Sequence, residues 1–341
     1  MIGNRIRLLR NAHSLSLQQL SEHLENHLGL SISRSTLFGY ENERTAVTDQ
    51  ILEYIAMELG VTKAFFHEQD WEDFSLDYFH IPSIIPQRLQ QLEAYIQLKL
   101  ERHKYLNHLL DISPNQAPPQ PILIDNNDFQ MVEHIVQELR NTWNLGVYPI
   151  ASVCGLLESL GWYLLLTPSN INREDNDTPE ICGIEKSATM PFILYKSSYF
   201  NDELRYKLLQ NVGYAYIKGN TAEQSKSLVQ YFSRALLLPT QQAMNEFGTQ
   251  RAEVTEHELS IIKHKYGIPK RMIMLRLCEL GIITSNYYNR FINYLQQNLF
   301  LQRESLMEPS SLLEAPFSYE MKLRRAESEK LIPRNLNKFF D

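Results

Sequence analysis

GNRIRLLRNAHSLSLQQLSEHL (residues 3–24) and ISRSTLFGYENER (residues 32–44) decide how the N-terminal fifth of this chain is read. Ile6, Leu8 and Leu9, then Leu17, Leu20 and Leu24, then Leu37 and Tyr40 recur at three- and four-residue steps, the period of amphipathic helices. Ile51, Leu52, Ile55, Ala56 and Leu59 continue the pattern. Ser16, Ser33 and Thr48 stand just before three of these runs, where a side-chain oxygen can accept from the free amides of a helix N-terminus. Gly60 closes the fourth run. The spacing predicts a bundle of short helices over residues 1–68.

The two quoted segments together resemble the Xre/phage-repressor type of helix-turn-helix domain. That resemblance implies a five-helix DNA-binding unit whose recognition helix begins after Ser33, with double-stranded DNA as partner. A major groove about 12 Å wide admits a helix, and its first residues reach base edges. Those residues are Arg34 and Ser35, with Phe38 one turn on, where it can meet a thymine methyl or pack internally. Thr36, Asn42 and Arg44 fall at flanking or phosphate-contacting positions. The resemblance also implies an orienting ion pair between Arg10 and Glu41. A homodimer is expected, because one recognition helix reads too few bases for useful specificity. Two departures from the pattern stand out. The stretch from Leu20 to Ser33 is about six residues longer than in compact members, which extends helix 2 or the turn, and Gly39 occupies a position where polar readers are common. Residues 1–70 hold six Lys/Arg against nine Asp/Glu, net −3, so non-specific affinity should be modest.

DWEDFSLDYFHIPSIIPQ (70–87) is aromatic and acidic. QRLQQLEAYIQLKLERHKYLNHLLDI (87–112) suits one long helix, apolar along one stripe through Leu89, Leu92, Ile96, Leu100, Leu106 and Leu110. Packing and dimerisation are both open readings for it. SPNQAPPQP (113–121) is a Pro-rich break. Residues 69–124 are therefore expected to form a helical connector or dimerisation segment.

Residues 125–284 read as α+β. FQMVEHIVQELRNTWNL (129–145), IASVCGLLESLG (150–161), NDELRYKLLQNVGYAYIK (201–218), AEQSKSLVQYFSRALLLP (222–239), TEHELSIIKHKYG (255–267) and PKRMIMLRLCELG (269–281) are helical. WYLLLT (162–167), ICGIE (181–185) and PFILYKS (191–197) are short strands. The order of the LR..W.LG..PI helix, LRYKLLQNVGYAYIK, FSRALLLP and RL..LGII is similar to the ImmA/IrrE metallopeptidase-like family, which implies a zincin-like fold with a small sheet. Zinc peptidases of that kind use HExxH, where two histidines at i and i+4 face one metal and the glutamate activates its water. The matching positions here are Gln210, Asn211 and Tyr214. An amide oxygen is a poor zinc ligand, a phenol must ionise to bind, and Asn211 cannot serve as general base. No enzymatic activity, metal or cofactor is expected at this site; the three side chains either form a candidate pocket for a small-molecule or peptide effector or fill the vacated cavity in a purely structural or dimerising role.

Composition bounds the rest. The chain has 341 residues, 43% apolar and 21% charged, with net charge −7, enough for real cores and too acidic for a uniformly basic nucleic-acid binder. No apolar run approaches the ~20 residues of a membrane span, so no membrane partner is expected. Cys154, Cys182 and Cys278 form no CxxC pair and fit a reducing cytoplasm. Among the ten histidines, His23 and His27 are four apart and share a helix face, but no third ligand is evident nearby in sequence. Residues 285–341 form a C-terminal helical region, with Lys322, Arg324, Arg325 and Lys330 interrupted by Glu320, Glu327 and Glu329, the mixed signs of a solvated face.

The fold expected is mainly α and multidomain. The function expected is a sequence-specific transcriptional regulator with a catalytically dead, ligand-sensing peptidase-like domain. The alternative is a protein-interaction module, antitoxin-like or a pseudopeptidase partner, that binds DNA only incidentally.

Overall fold

The structure is a computed structural model and describes residues 2–113, 119–167, 180–196, 201–297 and 312–332. It is mainly helical with a small mixed sheet. The N-terminal unit comprises α1 (Ile2–Ala12), α2 (Leu17–Leu28), α3 (Arg34–Glu41) and α4 (Asp49–Glu58), followed by a 3-10 helix at Lys63–His67. The expected fifth helix is thus this 3-10 segment, whose N-cap Thr62 makes no side-chain cap bond. The three foreseen caps form: Ser16, Ser33 and Thr48 each accept from the amide three residues on. Ser16 and Gln19 complete a reciprocal capping box. α2 runs for twelve residues and ends at Gly29 in the left-handed conformation (φ 67°). Ile6, Leu9, Leu20, Leu24, Leu37, Leu52, Ile55, Leu59 and Phe66 form the core.

Residues 69–124 differ from a simple helical connector. β1 (Leu76–His80) and β2 (Ile122–Ile124) flank α5 (Pro86–Leu109). The sheet continues with β3 (Tyr163–Leu166), β4 (Ile181–Glu185) and β5 (Met190–Tyr195), in the order β1-β4-β5-β3. β4 runs antiparallel to both neighbours, and β3 is parallel to β5. Gly183 lets β1 approach closely: a Cβ there would crowd the Asp77 carbonyl and lie 3.1 Å from the Phe192 ring.

Nor is α5 apolar along one stripe. Leu92, Ile96 and Leu100 pack on one face of the sheet, against Tyr163, Leu165, Phe192 and Leu194. Ala94 and Leu98, about 200° further round at ~100° per residue, join the N-terminal core instead. Leu106 and Leu110 then meet α14 (Ser318–Ser328) through Leu323 and Ala326. The helix is buried within the chain on opposite sides.

The other face of the sheet is covered by α7 (Val153–Ser159) and α8 (Asn201–Tyr216); α9 (Ala222–Leu237) packs on α8 and α6 (Phe129–Thr142) on α9, with α10 (Thr240–Phe247), α11 (Glu256–Tyr266) and α12 (Lys270–Glu279) completing this body. α13 (Ser285–Gln297) lies against α12. With both faces covered, β3 and β5 are continuously apolar and β4 is buried along its length, whereas edge strand β1 carries Asp77 and His80 and is only half-buried. The end of the 201–218 segment leaves the helix to form β6 (Ile217–Gly219), which pairs in parallel with β2. Glu314 reaches back as a buried clamp. It accepts from the Val153 and Cys154 amides at 2.8 and 2.9 Å and pairs with Arg205, both side chains fully buried. No helix among the described residues is long and apolar enough to cross a membrane.

Candidate functional site

α3 starts where the Ser33 hydroxyl accepts from the Thr36 amide at 3.1 Å. Arg34 and Ser35 are exposed in its first turn, and Phe38 is 44% exposed one turn later. These three share the outer face of the helix, while Leu37 and Tyr40 face the core. Thr36 is half-buried, its hydroxyl held 2.8 Å from Ser33, and the Ser35 hydroxyl is at the same distance from that oxygen. Asn42, exposed, donates its side-chain amide to the Phe38 carbonyl at 2.8 Å. The loop then folds back: the Arg44 amide donates to the Gly39 carbonyl at 2.9 Å. The Arg44 guanidinium comes to lie 5.4 Å from the Phe38 ring centre. Gly39 leaves room for this fold-back: a Cβ there would sit 2.9 Å from the Thr45 hydroxyl, which would have to turn away.

The inner side of α3 is tied to α1. Arg10 donates through Nε to Glu41 Oε1 at 2.5 Å and through Nη2 to Oε2 at 2.9 Å, and a third bond reaches the Leu15 carbonyl at 2.7 Å. This bidentate fork fixes orientation as well as distance. α1 is in turn tied to α5, because buried Arg5 pairs with Asp70 at 3.1 Å and Glu101 at 2.6 Å. Between α1, residues 70–76 and α5 lies a cleft of about 780 Å³, lined by Arg7, Asn11, Trp71 and Glu93 among others.

Gln210, Asn211 and Tyr214 stand together on α8, beneath the end of β1. His80 lies flat on the Tyr214 ring, with centres 4.1 Å apart and planes 7° from parallel. Asn211 donates to Glu180 at 3.2 Å and to the Lys207 carbonyl at 3.0 Å. Gln210 is buried, and its Oε1 has no hydrogen-bond partner among the described residues. Burial, reinforced by Glu180, pushes the Tyr214 hydroxyl pKa up to about 12, so the phenol stays protonated at neutral pH. Burial lowers the His80 pKa against the opposing pull of Glu180, which keeps the imidazole neutral. The site offers amide, phenol and imidazole hydrogen-bonding groups beside one carboxylate.

His80 and Glu180 escaped the sequence reading, His80 because β1 was not anticipated. The other missed residue is Glu58, at the end of α4, which meets His23 and His27. The C-terminal basic run is neutralised locally: Arg324 pairs with Glu320 and Glu327, and Arg325 with Glu329.

Comparison with protein-family models, with curated proteins and with solved structures returns no match to this chain.

Proposed function

We propose that this protein is a sequence-specific DNA-binding transcriptional regulator of the Xre type, a homodimer working in the cytoplasm on double-stranded DNA. The observation that carries the proposal is the outer face of α3. Arg34, Ser35 and Phe38 are presented to solvent on a capped helix whose inner side is fixed by Arg10 and Glu41. A pair as buried as this adds little net stability, because desolvation offsets much of the Coulomb gain. Its use is to hold α3 at one angle to α1, which is what a groove-reading helix needs.

In this reading residues 125–284 are a degenerate ImmA/IrrE-like domain that has lost its peptidase chemistry and binds an effector around Gln210, Asn211 and Tyr214. The Gln210 oxygen, unpartnered among the described residues, supports that assignment: a buried acceptor without a donor costs about 1–3 kcal/mol, which a ligand donor would restore. α5 supplies the route between the two units, since it packs on both the sheet and the N-terminal core.

Fluorescence anisotropy of the full-length protein with duplexes from upstream of its own coding sequence tests the proposal. Nanomolar binding that weakens steeply with salt is expected. Micromolar binding indifferent to sequence would instead favour a protein-interaction module. The purified protein should cleave no peptide, and its metal content should not change on Gln210→Ala.

A further inference from the structure

We propose that His23, His27 and Glu58 form a binding site for a divalent transition-metal ion that staples α2 to α4. The two histidines are four residues apart, so both project from one side of α2. Leu20 and Leu24 of the same helix are buried in the core, which sets positions 23 and 27 on the flank beside the end of α4. Glu58 is the last residue of α4, followed by buried Leu59. Its carboxylate sits between the rings: Oε1 is 3.0 Å from His23 Nδ1 and 3.2 Å from His27 Nδ1. The ring centres are 5.2 Å apart, and one ligand atom from each of the three residues lies within 4.8 Å of the others.

These separations, spanned here by hydrogen bonds, also suit a coordination shell. Ligand atoms held at ~2.0–2.2 Å from one ion lie ~2.9–3.5 Å from each other in tetrahedral or octahedral geometry. Two of the three edges already have that length, and only the edge between the histidines must close. Small rotations of side chains 40% and 60% exposed would suffice. Two imidazole nitrogens and one carboxylate oxygen suit zinc, nickel, cobalt or copper better than magnesium or calcium. The exposed side of the cluster leaves room for water to complete the shell. Among the described residues this is the one grouping of three such side chains able to converge on an ion. An ion there would also add two positive charges to a unit whose first 70 residues carry net −3.

The test uses full-length protein stripped with a chelator and titrated with Co²⁺, followed by its visible d–d absorption, then with Zn²⁺ as competitor. One Co²⁺ per chain, displaced by Zn²⁺, is expected. His27→Ala and Glu58→Gln should each weaken binding at least about tenfold, while exposed His257→Ala should leave it unchanged. Zn²⁺ should raise the thermal midpoint of the stripped wild type and not that of His27→Ala. His27 is largely exposed, so that variant should fold whatever becomes of Glu58→Gln, and circular dichroism checks it. Absence of saturable Co²⁺ binding, or saturable binding that persists in folded His27→Ala, would overturn the proposal.

Discussion

Arg34 and Arg44 both approach the outer face of α3, but their settings differ. Arg34 is the exposed first residue of the capped helix. Arg44 leans over the Phe38 ring from the loop that follows. A guanidinium at a helix start can make a bidentate contact to guanine worth ~1–3 kcal/mol of discrimination, whereas one at the helix flank meets phosphate. Arg34→Ala should therefore lose about that much affinity for the cognate duplex and relax specificity at one base pair. Arg44→Ala should weaken all duplexes alike and flatten the salt slope. Anisotropy titrations at several salt concentrations separate the two, and unchanged cognate affinity in Arg34→Ala would remove α3 as the reading element.

Among the elements, α5 and the Glu314 clamp each hold a buried titratable group. His103 of α5 is buried between Tyr163 and Tyr319, edge-on at 4.8 and 4.9 Å, with Nδ1 unpartnered among the described residues. Burial, helped by Lys322, Lys99 and Arg102, lowers its pKa from 6.5 to about 3. The folded protein thus keeps the ring neutral in a range where the unfolded chain takes up a proton. Stability from this group is complete above pH 6.5 and is lost as pH falls toward 3, by at most about 1.4 kcal/mol per pH unit. His103→Phe keeps an aromatic ring without the titration. Thermal midpoints of this variant should fall less between pH 6.5 and 4 than those of wild type, and parallel curves would refute the assignment. Glu314 presents the opposite case. It is a charge whose removal strands Arg205, which is fully buried and also donates to the Ile150 carbonyl at 2.6 Å. Glu314→Ala should destabilise the body around α7 and α8 by about 3–5 kcal/mol. Urea unfolding followed by the fluorescence of Trp143 and Trp162, both in that core, measures it.

At the scale of the whole molecule, the proposed regulator needs a connection between α8 and α3. The contacts run from Tyr214 through stacked His80 to β1, along the sheet to α5, and through Arg5 to α1. Coupling between two sites is a free energy, typically ~1–3 kcal/mol, and exists only if an effector binds two arrangements unequally. Tyr214→Ala should therefore alter DNA affinity in cell extract, where the effector is present, and leave purified protein unchanged. Equal DNA affinity in both settings, joined to a lower thermal midpoint, would assign Tyr214 to packing alone.

What the sequence determined by itself is local. The three-and-four-residue spacing of Leu20, Leu24 and their neighbours, the caps at Ser16, Ser33 and Thr48, and the apolar runs of β3, β4 and β5 are written in stretches of a dozen residues or fewer. Helix period, capping and short-run hydrophobicity act over that range. The ion pair of Arg10 with Glu41 was legible only through resemblance. Tertiary structure decided the rest. β2 is three residues long, too short to show an alternation, and exists because β6 lies beside it. α5 reads as one stripe because periodicity counts apolar positions without saying which neighbours cover them. His80 on Tyr214, Glu58 on His23 and His27, and Glu314 on Arg205 each join residues far apart in the chain. A buried charge or ring finds its partner by packing, and one-dimensional spacing holds no record of where that partner will be.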